Sequence, residues 1–202
     1  MELQELVDGL ARGIGSADSR SPVAVGQRSG RVFQPGIGPH SESETITLAL
    51  AEASAGFVGT HIEREVPYPA IARSRCDLVI DESPGWAVEI KLLRLLGDNG
   101  LKNDNMLMHI LSPYPVDHSA LTDCPKLLRS GFVGRKAIVI IGYDYDDLPL
   151  APTIRAFELL ASSEVNLTAA NLAPFDGLIH PVHRRGAVFG WEISDRRDLS
   201  TS

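Results

Sequence analysis

Residues 75–91, which read RCDLVIDESPGWAVEIK, decide the fold of this chain. Two apolar runs in this stretch are separated by Glu-Ser-Pro-Gly at 82–85, which is a turn signal. Two short apolar runs on either side of such a signal are typical of a β-hairpin. We therefore expect one strand over residues 75–81 and a partner strand over residues 86–92.

Three charged residues stand inside the apolar strands of this hairpin, namely Asp77, Glu89 and Lys91. Glu89 and Lys91 are two residues apart, so a strand points both side chains to the same face. If the numbers of paired residues sum to 166, Asp77 lies directly opposite Glu89. A sum of 167 without a bulge would put the two carboxylates on opposite faces, so the predicted site depends on the register.

Two facing carboxylates repel each other unless a positive charge lies between them. Mg²⁺ prefers oxygen ligands and takes one or two protein carboxylates, which leaves positions for water and a phosphate. We therefore expect Asp77 and Glu89, with the Ile90 carbonyl, to bind Mg²⁺, for which Mn²⁺ can substitute. Lys91 is expected to hold or help deprotonate a water molecule and to screen the phosphate. The alternative is a surface hairpin whose Glu and Lys serve solubility, but charges within apolar strands are costly unless they are paired or bind metal.

The segments around the hairpin predict further helices and strands. Ser41 followed by Glu44 is a capping-box signal, which predicts that a helix begins there. The apolar run at 136–142 predicts a central strand with both faces covered. The other predicted elements are a strand over 60–66, a helix over 105–111, a helix over 153–163 and a closing hairpin of 177–183 and 187–193. Residues 1–40 are predicted to form a short helix and an irregular arm rich in Gly, Ser and Pro, ahead of a domain over 41–202.

The composition is that of a globular domain, with 202 residues of which 44% are hydrophobic and 22% charged. No run approaches the ~20 apolar residues of a membrane span, and the N-terminus lacks signal-peptide features. We therefore expect a cytoplasmic protein with no membrane partner, in which Cys76 and Cys124 are reduced. The net charge of −7 counts against binding to a polyanion, so nucleic-acid binding would depend on local basic residues.

The arrangement of Asp77 and Glu89-Ile90-Lys91 on a hairpin, after a helix with an acidic face, resembles the PD-(D/E)XK nuclease superfamily. The resemblance covers about half of the chain, because a helix, three strands, a helix and a strand over 41–142 match the core of that family. It implies an α/β, restriction-endonuclease-like fold with a mixed central sheet flanked by helices. It also implies Mg²⁺-dependent hydrolysis of phosphodiester bonds. Cys76 stands where many members have a proline before the Asp.

The resemblance extends to residues outside the hairpin. Many members carry a Glu on the first helix that is aimed at the metal, and Glu42 fits best because it lies one turn before Ile46 on the apolar face, although Glu44 stays open. DNA is the expected substrate, with RNA open, and a homodimer suits the cutting of both strands of a duplex. The alternative function, favoured by the acidic net charge, is a catalytically inactive nuclease-fold module for binding or assembly. The basic residues expected to contact phosphates are Arg73, Arg75, Arg94 and Lys102.

Other motifs give weaker signals. A strand would point His180 and His183 to opposite faces, and no cysteine pair lies nearby, so a structural role is favoured over zinc binding. The consecutive Asp-His-Ser at 117–119 lacks the nucleophile elbow of a hydrolase triad. The acidic run at 143–147 lacks the loop length and terminal Glu of a calcium site.

Overall fold

A computed structural model of the chain describes residues 1–26, 30–53, 56–57, 59–81, 84–105 and 107–196. Within these residues, helices flank one seven-stranded, mostly antiparallel sheet, so the predicted mixed α/β class is confirmed. The helices are α1 (Leu3–Ser19), α2 (Glu42–Ala53), α3 (Met108–Leu111), α4 (Ala120–Leu128) and α5 (Ala151–Glu164). The strands are β1 (His61–Pro67), β2 (Arg75–Asp81), β3 (Trp86–Leu93), β4 (Arg135–Tyr143), β5 (Asn166–Leu167), β6 (Asn171–Phe175) and β7 (Gly186–Ser194).

The sheet has the order β1-β2-β3-β4-β7, and β5 and β6 both pair with the outer side of β7. β3 and β4 are parallel, whereas the other described pairs are antiparallel. Parallel neighbours need a crossover connection, and the segment that contains α3 and α4 supplies it. β4 is covered on both faces, and its last seven residues are buried. The prediction of a central strand over 136–142 is therefore confirmed.

The predicted hairpin is formed by β2 and β3, with the register that the predicted site requires. Leu78 pairs with Val88 and Ile80 with Trp86, so the paired numbers sum to 166. The ladder ends at Leu78, and the same register puts Asp77 opposite Glu89 one step further. The hairpin turn includes residues 82 and 83, which lie outside the described residues.

The N-terminal helix α1 is part of the core. Leu6, Leu10 and Ile14 are almost completely buried, and α1 packs against α2, β6 and β7. Gly13 allows the close approach of the two helices, because a Cβ atom there would lie 2.1 Å from the carbonyl oxygen of Ala49 on α2. α1 therefore fixes the position of α2, whose first residue is Glu42.

The start of α2 has the predicted capping box. The Ser41 backbone N–H donates to the Glu44 carboxylate at 3.0 Å, and the Glu44 backbone N–H donates to Ser41 Oγ at 3.3 Å. These bonds satisfy two N–H groups at the end of the helix. They fix the first turn of α2 and, with it, the direction of the Glu42 side chain.

Two elements differ from the sequence predictions. The helix expected over 105–111 is the single turn α3, and residue 106 lies outside the described residues. The prediction of a strand over 177–183 is wrong, because the partner of β7 is β6 at 171–175. Residues 177–183 form an irregular loop instead. In this loop the backbone N–H groups of Val182 and His183 both donate to His180 Nδ1 at 3.3 Å.

A buried histidine network holds this loop in place. His183 Nδ1 lies 2.8 Å from the Tyr145 hydroxyl, and His183 Nε2 lies 3.0 Å from Asp98 Oδ1. The His180 ring stacks on His183 with centroids 4.9 Å apart. Asp18 accepts the backbone N–H of Ile179 at 2.7 Å from the same loop. Both histidines therefore have the buried contacts of structural residues.

We expect this network to make the fold sensitive to acid. Burial lowers the pKa of His183 below 6.5 despite its bond to Asp98, and burial also lowers the pKa of His180. The unfolded chain therefore binds more protons as the pH falls through about 6.5, so stability decreases from pH 7 to pH 5. In urea unfolding at each pH, His183→Gln should reduce this slope by up to about 1.4 kcal/mol per pH unit. Replacement of the exposed His109 by Gln should keep the wild-type slope, and an equal effect of both variants would contradict the prediction.

Candidate active site

The open end of the β2–β3 hairpin brings together the three predicted residues of the site. Asp77 Oδ2 accepts the backbone N–H of Ile90 at 2.7 Å, which fixes this carboxylate against β3. Glu89 and Lys91 follow each other on one face of β3, with 2% and 9% of their surfaces exposed. The charge of Asp77 acts on both, since it raises the pKa of each. The three side chains therefore form one electrostatic unit.

α2 contributes one carboxylate to this unit. Glu42 Oε2 accepts the backbone N–H of Leu92 at 2.7 Å, and Glu42 Oε1 lies 4.0 Å from Lys91 Nζ. Glu44 is exposed and bonds to Ser41 instead. Of the two helix glutamates that the sequence left open, Glu42 is the one that faces the site.

α4 contributes two residues that the sequence analysis did not identify. Asp123 is 1% exposed, and its carboxylate oxygens lie 2.9 Å from Lys91 Nζ and 3.0 Å from Lys126 Nζ. Lys126 Nζ lies in turn 3.3 Å from Glu89 Oε1. We call the series Glu42–Lys91–Asp123–Lys126–Glu89 the charge chain, because negative and positive side chains alternate along it.

A signal for α4 was present in the sequence but was interrupted. Ser119 is its N-cap and accepts the backbone N–H of Thr122 at 3.1 Å. Leu121, Cys124 and Leu127 recur at the spacing of a helix face. Pro125 lies inside the helix and hides this pattern, since proline usually ends a helix.

A buried aromatic side chain covers Glu89. The Tyr68 hydroxyl donates to Glu89 Oε1, and its ring lies 5.0 Å from Lys126 Nζ. The ring also packs edge-on against Phe132. Tyr68 therefore limits the access of water to the Glu89 side of the charge chain.

Burial and neighbouring charges shift the pKa values of Glu89 and Lys91 to different protonation behaviour. Burial and the neighbouring carboxylates of Asp123 and Asp77 raise the pKa of Glu89 from 4.5 to about 8, although Lys126 and Tyr68 act in the opposite direction. Burial would lower the pKa of Lys91, but the carboxylates of Asp123 and Glu42 outweigh burial and raise it. Lys91 is therefore a fixed positive charge in this state rather than a proton acceptor.

The cluster contains more carboxylates than ammonium groups. Four carboxylates, those of Glu42, Asp77, Glu89 and Asp123, lie around two ammonium groups, so the cluster has a net charge of −2 when all six groups are ionised. In the described part of the chain, no group of three or more His, Cys, Asp or Glu side chains is arranged to hold a metal ion. Mg²⁺ needs only one or two protein carboxylates, and the two that could supply them are Asp77 and Glu89.

The predicted phosphate-binding residues differ in where they lie. Arg94 lines a polar pocket of about 380 Å³ with Leu92 and His109, beside the end of β3. Its guanidinium also donates to the Gly38 carbonyl at 2.6 Å. The exposed Arg75 donates to a backbone carbonyl of β1, and Arg73 and Lys102 are exposed. Of the four, Arg94 is partly buried and the other three are exposed.

A second depression lies on the α4 side of the site. Lys126 and Asp123 line it together with Ile71, Pro113 and Arg129, and its volume is about 400 Å³. The Lys126 side chain is 24% exposed and therefore reaches from the buried carboxylates into this depression.

Comparison with protein families, with curated proteins and with solved structures finds no match to this chain. Both cysteines are free and buried. Among the described helices, none has the length and apolar character needed to cross a membrane.

Proposed function

We propose that this protein is a Mg²⁺-dependent nuclease of the PD-(D/E)XK type, with a restriction-endonuclease-like fold, that hydrolyses phosphodiester bonds in DNA. One observation carries the proposal: the buried carboxylate of Glu89 and the half-buried carboxylate of Asp77, on facing strands, adjoin the buried Lys91, which lies on the same face of β3 as Glu89. A carboxylate with a pKa raised by burial and by neighbouring like charges is a common feature of functional sites. Its charged form needs a cation, which in this proposal is the metal.

The residues of the chain have separate roles in this proposal. Asp77 and Glu89 would hold the metal, and the bond from the Ile90 N–H keeps Asp77 oriented. The chemistry that a bound Mg²⁺ supplies is polarisation of the phosphate and acidification of a bound water molecule. Lys91, held by Asp123, supplies a fixed positive charge for the negative charge that develops on the phosphate. Its raised pKa favours this electrostatic role over deprotonation of water.

The proposal is tested by cleavage and by binding of metal alone. Wild-type protein should cut plasmid or single-stranded DNA with Mg²⁺ or Mn²⁺ and should not cut with EDTA. At ~10 mM Mg²⁺ and a Kd of ~1 mM, metal should stabilise the fold by about 1.4 kcal/mol, which is a melting shift of roughly 3–6 °C. Asp77→Asn should lose both effects, whereas Lys136→Met, on the far end of β4, should keep both. The proposal would be refuted if Mg²⁺ and Mn²⁺ left the melting temperature unchanged and the protein cut neither DNA nor RNA.

One observation favours a second candidate, a catalytically inactive nuclease-fold module for binding or assembly. Lys91 and Lys126 bridge three of the carboxylates without a metal, so the charge chain can also be a structural element. The net charge of −7 agrees with a protein partner better than with DNA. The melting experiment separates the two functions, because a structural charge chain gives no response to Mg²⁺.

A further inference from the structure

Lys126 occupies a position in the charge chain that a metal ion would compete for. Its ammonium group lies 3.3 Å from Glu89 Oε1, on a carboxylate that the proposed function assigns to the metal. A cation bound to that carboxylate would lie close to Lys126 Nζ. The two like charges repel each other at this range, so each weakens the binding of the other.

The surroundings of Lys126 allow it to leave Glu89 without losing all of its partners. Asp123 Oδ1 lies 3.0 Å from Nζ, and Asp123 is on the same helix three residues earlier, so this contact survives a rotation of the lysine side chain. Lys91 has no such freedom, because Asp123 and Glu42 flank it and it is 9% exposed. Lys126 is the more exposed of the two lysines, and the depression of about 400 Å³ lies beside it.

We infer that Lys126 is an internal cation that contacts Glu89 until a divalent metal ion displaces it, and that the released ammonium group then binds a phosphate of the substrate. This inference rests on the proposed function and assigns a positioning and substrate-binding residue to that site. Asp123 is the pivot, because it holds Lys91 with one oxygen and Lys126 with the other. The phosphate would lie on the α4 side of the site, next to the exposed Arg129.

The first arm of the test measures metal binding in the absence of nucleic acid. Lys126→Met removes the charge but keeps the length of the side chain, so calorimetric titration with Mg²⁺ or Mn²⁺ should show about 10-fold tighter binding than wild type. Lys126→Arg keeps the charge and should bind metal like wild type. Lys136→Met removes a lysine outside the site and should also be unchanged. If Lys126→Met does not fold, Lys126→Gln replaces it, since the amide can still donate to Asp123 and Glu89.

The second arm measures binding of a short DNA duplex at several salt concentrations in the presence of Ca²⁺. Loss of one phosphate contact should reduce the slope of log K against log salt by about 0.9 in Lys126→Met, and Lys126→Arg should restore it. A folded Lys126→Met protein with wild-type or weaker metal affinity and an unchanged salt slope would overturn the inference and make Lys126 a structural counter-ion. In that case the proposed function is retained if the wild-type protein binds metal and cuts DNA. A wild-type protein that binds no metal refutes both the proposed function and the inference about Lys126.

Discussion

Glu89→Gln is expected to abolish metal-dependent cleavage and to raise the melting temperature of the metal-free protein at alkaline pH. The amide keeps the shape of the side chain and can still accept from the Tyr68 hydroxyl, but it carries no charge for a metal. We expect cleavage to fall by at least about 10²-fold. The melting response to Mg²⁺ should disappear with it.

The gain in stability should depend on pH in a defined direction. The pKa of Glu89 is about 8 in the folded protein, against an ordinary value of 4.5. Between these values the folded protein holds a proton that the unfolded chain has lost, so this residue makes the wild type less stable as the pH rises towards 8. Glu89→Gln removes the dependence, and its advantage over wild type should grow from pH 5 to pH 9.

Thermal unfolding in EDTA across this pH range checks the prediction. Glu65→Gln removes a carboxylate at an exposed position of β1 and serves as the control, with no expected effect on cleavage or on the pH slope. A Glu89→Gln protein that still cuts DNA with Mg²⁺ would show that Glu89 does not hold the metal. A melting curve that follows wild type at every pH would show that Glu89 is charged throughout.

Asp123→Ala should be among the most destabilising single substitutions of a charged residue in this chain. Asp123 is 1% exposed and lies within 3.0 Å of both Lys91 Nζ and Lys126 Nζ. Its removal leaves a buried ammonium group without its nearest partner, which costs about 3–5 kcal/mol. For a chain of this length the melting temperature should fall by roughly 6–20 °C.

The prediction for Asp123→Ala has two controls, one within the charge chain and one at an exposed position outside it. The double variant Asp123→Ala with Lys126→Met should regain part of the loss, because it also removes the Lys126 ammonium group, which loses its contact with Asp123 in the single variant. Asp104→Ala, at an exposed position, should stay within about 0.5 kcal/mol of wild type. A loss below about 1 kcal/mol for Asp123→Ala would mean that the two lysines find other partners in solution.

The sequence alone reduced the parts of the site that depend on local periodicity to a few alternatives. The two-residue period predicted that Asp77 faces Glu89 if the paired numbers sum to 166, and the observed register has that sum. The helix period favoured Glu42 but left Glu44 open, and the capping box at Ser41 shows where that helix begins. These features depend on neighbours within a few residues, so they can be read from a single segment.

The tertiary structure alone decided what surrounds that local pattern. Lys126 is 37 residues from Glu89 in the chain, and only the β3-to-β4 crossover brings α4 over the hairpin with Asp123 facing Lys91. The same packing buries the carboxylates, which raises the pKa of Glu89, and surrounds Lys91 with negative charge, which keeps it protonated. A charged residue in a sequence has no fixed pKa or partner, because both depend on burial and on charges from distant segments.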